Sequence, residues 1–216
     1  APTIILGTGG YSNVPNVPGL QESGFLTSES LFGDKFPKQP YKSLAVLGAG
    51  PIGVEFAHVF DSAGTKVTIL QHNVRLVPKE DADISEHLLN NYRERGINVL
   101  LNQDTVEIRQ EDGLKVVVTK DRTTGEITET KVEEILVAAG IRPAVEELHL
   151  ENTGIETRPK GWIKTNEFLE TSVDGIYALG DVNGEPAFRH RANYEADIIA
   201  HNLFYATSED DYRWAR

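Results

Sequence analysis

The sequence predicts an α/β fold in which a buried parallel sheet carries an antiparallel β-meander. Three features point there. Residues 43–71 read as strand, glycine-rich turn, helix and strand. Residues 83–101 add a further helix and strand, and the order β-α-β-α-β calls for parallel strands joined by crossovers. From residue 105 the apolar period changes to two, with turn signals at Glu111-Asp112-Gly113 and Thr123-Thr124-Gly125. That pattern is expected of antiparallel strands lying over one face of the sheet.

In chain order, residues 3–6 form a first strand that runs into Gly7-Thr8-Gly9-Gly10. Residues 11–19 hold Pro15 and Pro18 among Asn and Gly, and Pro37 and Pro40 close a second loop, so a domain crossing belongs within residues 11–40. Residues 44–47 are wholly apolar, as in a strand covered on both faces. Pro51 opens the next helix, where its missing N–H costs nothing. Ile52, Phe56, Val59 and Phe60 recur at helical spacing on its inner face, and Gly64 stops it. Residues 66–70 are the second strand of the sheet. Asp83 is expected to cap the following helix, with Ile84, Leu88, Leu89 and Tyr92 facing inward and Gly96 ending it; residues 98–101 are the third strand.

The meander strands are residues 105–109, 115–119 and 127–132. Residues 135–139 resume a buried strand that ends at Gly140, residues 175–180 supply one more, and Ala187 begins a last helix. A strand at the very start, and Trp214 just beyond the acidic run 209–211, read as cut ends of a longer parent. Methionine is absent, even at position 1, which fits a processed chain or a piece; its absence elsewhere has no physical account.

Composition narrows the function classes. Net charge is −12, from 33 acidic and 21 basic side chains, which works against binding a nucleic-acid backbone. No apolar stretch is long enough to span a bilayer and no secretory leader opens the chain, so a cytoplasmic protein is expected. With no cysteine, this stretch can hold no disulfide, thiolate zinc site or cysteine nucleophile. His58, His72, His87, His149 and His201 show no metal-ligand spacing, and no metal site is expected.

The chemistry starts at Gly48-Ala49-Gly50-Pro51-Ile52-Gly53, between a strand and a helix. Gly48 permits the tight turn, Gly50 lets backbone approach a pyrophosphate, and Gly53 lets helix and strand pack closely. Free amides and the positive helix end, with Pro51 and Ile52 in its first turn, then face the phosphates. The unit is therefore a Rossmann-like dinucleotide site for NAD or NADP. Glu55 either faces the ligand or simply favours the positive helix end. At the end of the second strand an acid would accept the ribose 2′-hydroxyl and repel a 2′-phosphate. Here Gln71 stands in that place, followed by His72, Asn73 and, after Val74, Arg75. Both cofactors stay open, and loss of the repelling charge favours NADP. A second signal is residues 171–181, where Gly180-Asp181 directly after a strand either binds a polyol or caps a turn.

Residues 1–20, the Gly48 unit, residues 137–143 (Val-Ala-Ala-Gly-Ile-Arg-Pro) and residues 171–181 together resemble the class I pyridine nucleotide-disulfide oxidoreductase family, nearest to dihydrolipoamide dehydrogenases and mercuric-reductase-like proteins. The resemblance implies FAD beside NAD or NADP, with Thr8, Gly9 and Asp181 on the flavin and Asp181 on its ribityl chain. It implies that Gly140 borders the nicotinamide cofactor, that Arg142 lies near the meeting of two domains, and that the helix start at His190 approaches the flavin ring. Residues 1–10 and 144–216 would then be parts of an FAD-binding domain flanking an NAD(P)-binding domain at 11–143.

The resemblance further implies a small-molecule or protein-bound disulfide as substrate and a homodimeric parent, with hydride passing between nicotinamide and flavin. The family's first FAD motif and redox cysteine pair would precede Ala1, and its dimerisation domain would follow Arg216. Pro51 stands where many relatives have Tyr, and Ile141-Arg142-Pro143-Ala144 departs from the usual Gly-Arg-x-Pro-Asn. His190 and Glu195 have the separation of the family's catalytic dyad but lack its Pro, so no catalytic residue is expected in this stretch. The alternatives are an isolated, non-catalytic NAD(P)-binding module and a mercuric-reductase-like parent.

Overall fold

A computed structural model describes residues 1–33, 35–184 and 186–215. The chain divides into two compact units, Ala1–Tyr11 with Ile141–Arg216, and Ser12–Gly140. It opens with strand β1 (Ile4–Leu6) and β2 (Gly10–Ser12), then the short helices α1 (Leu20–Ser23) and α2 (Ser28–Phe32). Next come β3 (Ser43–Leu47), α3 (Pro51–Ser62), β4 (Lys66–Leu70), α4 (Ala82–Glu94) and β5 (Asn98–Leu100). The meander is β6 (Gln103–Glu111), β7 (Leu114–Asp121) and β8 (Ile127–Val132), followed by β9 (Glu134–Val137). Finally β10 (Ile141–Pro143), β11 (Ile176–Ala178) and α5 (Arg189–Phe204) return to the first unit. Among the described residues no helix is long and apolar enough to cross a membrane.

In the Ser12–Gly140 unit four strands form a parallel sheet in the order β5-β4-β3-β9. Side chains alternate across a strand, so β3 serves two cores. Leu44 and Val46 join Val67 and Ile69 beneath Val54, Ala57 and Phe60 of α3 and Tyr92 of α4. Ala45 and Leu47 join Leu70, Ile135 and Val137 against Ile108, Val117 and Val132 of the meander and Leu20 of α1. This double coverage is why β3 and β9 read as apolar runs without alternation. The meander strands pair antiparallel, and its first turn places Asp112 and Gly113 at φ +52° and +79°, the left-handed values a tight hairpin needs.

Several expectations are corrected. Val59 is 58% exposed and Ile84 54% exposed. The inner face of α3 is Gly53, Val54, Ala57 and Phe60, one residue out of phase with the Val59 assignment. The residue before α4 is Asp81; Asp83 lies inside the first turn, and one of its carboxylate oxygens accepts the neighbouring Ile84 amide. Helix α5 starts at Arg189, two residues after the expected Ala187. Helices α1 and α2, β2 and β10 had no strong periodic signal; α2 is only five residues, closed by a Thr27–Ser30 capping box.

In the first unit β1 and β11 run parallel, Ile4 opposite Ile176 and Leu6 opposite Ala178. Ile155, Ile163, Ala178 and Val182 form its main core, and Ile198 and Ile199 anchor α5 against Leu169. Strands β2 and β10 pair with each other.

Candidate functional site

The glycine run folds as a turn between β3 and α3, at the carboxyl end of the sheet. Gly48 takes φ +102°, and a Cβ there would lie 2.5 Å from the Ala138 carbonyl oxygen, so both conformation and space demand glycine. A Cβ on Gly53 would overlap the Gly48 carbonyl, which makes this residue the close contact between α3 and the loop. Gly50, by contrast, has an ordinary φ of −71° and nothing within 4 Å of its Cβ position. It is the N-cap of α3 and brings no side-chain acceptor to the first helical amides, and Pro51 is the first helical residue. The positive helix end is thus left to the cleft that Gly50, Pro51 and Ile52 line.

That cleft has a volume of about 540 Å³ and lies wholly within the Ser12–Gly140 unit. Residues 47–52 form one wall, residues 138–140 with Pro15 and Val17 close the side, and residues 70–73, Pro78 and residues 103–105 form the far end. Gly140 sits at its rim with φ +96°, its carbonyl accepting the Asn13 amide at 2.8 Å. Its size and concavity suit a cofactor rather than a solvent dent.

The far end differs from the sequence expectation. Gln71 is buried, 3% exposed; its Oε1 accepts the Ala49 amide at 3.2 Å and its Nε2 donates to the Arg75 carbonyl at 3.1 Å. It ties the glycine loop to the β4 end instead of presenting its amide outward. Arg75 donates to the Pro78 carbonyl at 2.9 Å and so secures the same loop. Glu55 is exposed, beyond the first turn of α3, and does not line the cleft.

His72 does line it, and sequence reasoning missed its companion. Asp104, at the start of β6, faces His72 with Nδ1–Oδ1 at 2.7 Å, and Arg122 just after β7 approaches the same oxygen at 3.6 Å. Backbone bonds set this juxtaposition: Asn102 N–H to Asn73 O at 3.0 Å and Gln103 N–H to Gln71 O at 2.9 Å pin the β6 start beside the β4 end. The sequence signal was the polar Gln103-Asp104 shortly after the Asn98–Leu100 strand.

In the first unit the carboxyl ends of β1 and β11 bring together the two segments expected on a flavin. Leu179 N–H bonds to Leu6 O at 3.0 Å, extending the pairing toward Gly180. A Cβ at Gly10 would lie 3.7 Å from the Cβ of Asp181, so the Gly7–Gly10 turn and Asp181 are neighbours. Thr8 is exposed, and Gly9 has φ +75° with open space at its Cβ position. Gly180 takes φ +74°, and its amide donates to Glu195 Oε2 at 2.7 Å. Glu195 is completely buried, also accepts from Asn183 and pairs with Arg191 at 2.8 Å, so its carboxylate holds the turn that carries Asp181. His190 is exposed and stacks on Phe188 at 5.1 Å. One side chain points into the core and the other to solvent, so the pair forms no dyad. Arg142 lies over the Tyr11 ring at 5.3 Å and pairs with Glu146.

Comparison with known proteins places the chain in a family. Over 200 residues the chain is 35% identical to a mercuric reductase of Staphylococcus aureus, covering 93% of this chain and 36% of that protein. Over 206 residues it is 32% identical to a dihydrolipoyl dehydrogenase of Corynebacterium glutamicum, covering 95% and 43%. Among solved structures, the HOCl-induced flavoprotein disulfide reductase RclA of Escherichia coli superposes with a TM-score of 0.84 at 32% identity, covering 94% of this chain and 45% of that one. The chain therefore spans less than half the length of these relatives. The family model for pyridine nucleotide-disulphide oxidoreductases matches residues 1–196, and the chain belongs to that family.

Proposed function

We propose that this chain is the NAD(P)-binding portion, with its flavin-binding flanks, of an FAD-dependent NAD(P)H:disulfide-type oxidoreductase of the dihydrolipoamide dehydrogenase kind. The observation that supports it most is the glycine cradle at the mouth of a cofactor-sized cleft, in a chain whose family match runs from residue 1 to 196. When bound, the nicotinamide and flavin supply the hydride chemistry. The protein's share is to hold them. Gly48, Gly50 and the α3 amino end would bind the pyrophosphate, Gly140 would border the nicotinamide half, and Asp181, held by Gly180 and Glu195, would accept hydrogen bonds from the flavin's polyol with Thr8 and Gly9 beside it.

On this reading residues 1–10 and 144–216 belong to the flavin side and 11–143 to the nicotinamide side. The parent acts on a small-molecule or protein-bound disulfide, as a cytoplasmic homodimer. The chain has no cysteine, so the dithiol step of such chemistry would draw on residues it does not contain. That supports a second reading, in which the chain alone is a non-catalytic NAD(P)-binding module; a mercuric-reductase-like parent is the other variant. Titration of this chain with NADH and NADPH, beside flavin absorbance and NADH-driven reduction of lipoamide or a dye, tests them. Nucleotide binding without turnover is the expected result. Turnover with bound flavin would remove the module reading, and no nucleotide binding would overturn the site assignment.

A further inference from the structure

We propose that Asp104 is the residue that reads the adenosine ribose, making the cleft selective for the dinucleotide with a free 2′-hydroxyl. The inference rests on the dinucleotide reading of the cleft given above. The end of β4 carries no acid; Gln71 is engaged with the Ala49 amide and the Arg75 carbonyl, Arg75 Nη2 donates to the Pro78 carbonyl, and His72 faces Asp104. A carboxylate nevertheless reaches this end of the cleft, delivered from β6. Asp104 is half exposed, so it is open to a ligand and not sunk in the core.

Its neighbours orient it. His72 Nδ1 lies 2.7 Å from Oδ1, Arg122 Nε lies 3.6 Å from the same atom, and Arg122 Nη1 donates to the His72 carbonyl at 3.4 Å. The Arg122 guanidinium lies beside Asp104 and the His72 carbonyl, so the carboxylate offsets part of its charge. An incoming 2′-phosphate, carrying about −1.5 to −2 charges, would meet the like charge of the Asp104 carboxylate. A 2′-hydroxyl would find an acceptor. The acid that the β4 end lacks is thus supplied from a strand some thirty residues later, which reverses the inclination toward NADP drawn from Gln71.

Fluorescence titration of this chain with NADH and with NADPH, repeated on Asp104→Asn and Asp104→Ser, tests the proposal, with thermal melts showing that each variant is folded. The native chain should bind NADH more tightly, and both variants should shift the NADH/NADPH affinity ratio toward NADPH by about tenfold or more, the size expected for one charge at a partly exposed site. Asn keeps the shape of Asp, so a loss of fold in Ser alone leaves the test intact. An unchanged ratio in variants that still bind, or tighter NADPH binding by the native chain, overturns the role of Asp104. Binding of neither nucleotide by the native chain overturns the dinucleotide reading, and this proposal with it.

Discussion

The two ends of the cleft are built on opposite principles. At the glycine end the determinants are backbone conformation and closeness: Gly48 at φ +102° against Ala138, and Gly53 against the Gly48 carbonyl. At the far end they are side chains from strands distant in sequence, His72 after β4, Asp104 on β6 and Arg122 after β7, brought together by the backbone bonds of Asn102 and Gln103. The first kind of site leaves glycines at fixed spacing, because few other residues fit. The second leaves only ordinary polar residues, whose meaning comes from their neighbours.

Substitutions at the glycine end should separate space from contact. Gly53→Ala should cost about 3 kcal/mol of stability, read by urea denaturation, because overpacking against a carbonyl cannot relax cheaply. The sign is informative, since alanine's helix propensity alone would stabilise by about 1 kcal/mol. Gly50→Val should do the reverse. With open space at its Cβ and φ −71°, stability should move by under about 1 kcal/mol, while nucleotide affinity in titration calorimetry falls at least about a hundredfold as the side chain fills the pyrophosphate path. Equal effects of the two on binding and stability would break the distinction between a packing glycine and a ligand-facing one.

At the far end the expected effects are smaller. Gln71→Leu strands the Ala49 amide and the Arg75 carbonyl and should cost about 1–3 kcal/mol in the same denaturation assay. A neutral result would return Gln71 to the surface and to the ribose. The smallest effect concerns Asp121, whose carboxyl is held below its ordinary value of 3.8 by the Thr124 and Thr123 backbone amides. A depressed native value means that its contribution is complete above the ordinary pKa and is lost as pH falls through the native one. Asp121→Asn should therefore flatten the fall in stability below about pH 4, seen in denaturation midpoints across a pH series.

Much of the fold was legible because burial on both faces writes apolar runs and because tight turns write glycines. Strands 44–47, 66–70 and 127–132, the Pro51 helix start and the stops at Gly64 and Gly96 are visible for that reason. Phase errors arose where periodicity alone had to choose a helix face: Val59 and Ile84 are as apolar as their buried neighbours, and only packing decides which side meets the sheet. Helices α1 and α2, four and five residues long, are too short to show a period. Of the residues that line the cleft, Gly48, Gly50, Pro51 and Ile52 were legible, whereas the engagement of Gln71 and Arg75 with neighbouring backbone was not, since a polar side chain at a strand end can point either way.

The sequence by itself determined that a parallel α/β unit carries a glycine-rich turn between its first strand and helix, because steric demand admits almost only glycine at two of its positions, Gly48 and Gly53. Tertiary structure decided which side chains meet at the far end of the cleft. That choice depends on β6 returning beside the end of β4, and a contact between residues 72 and 104 is set by strand pairing and loop hydrogen bonds, not by any local preference of either residue.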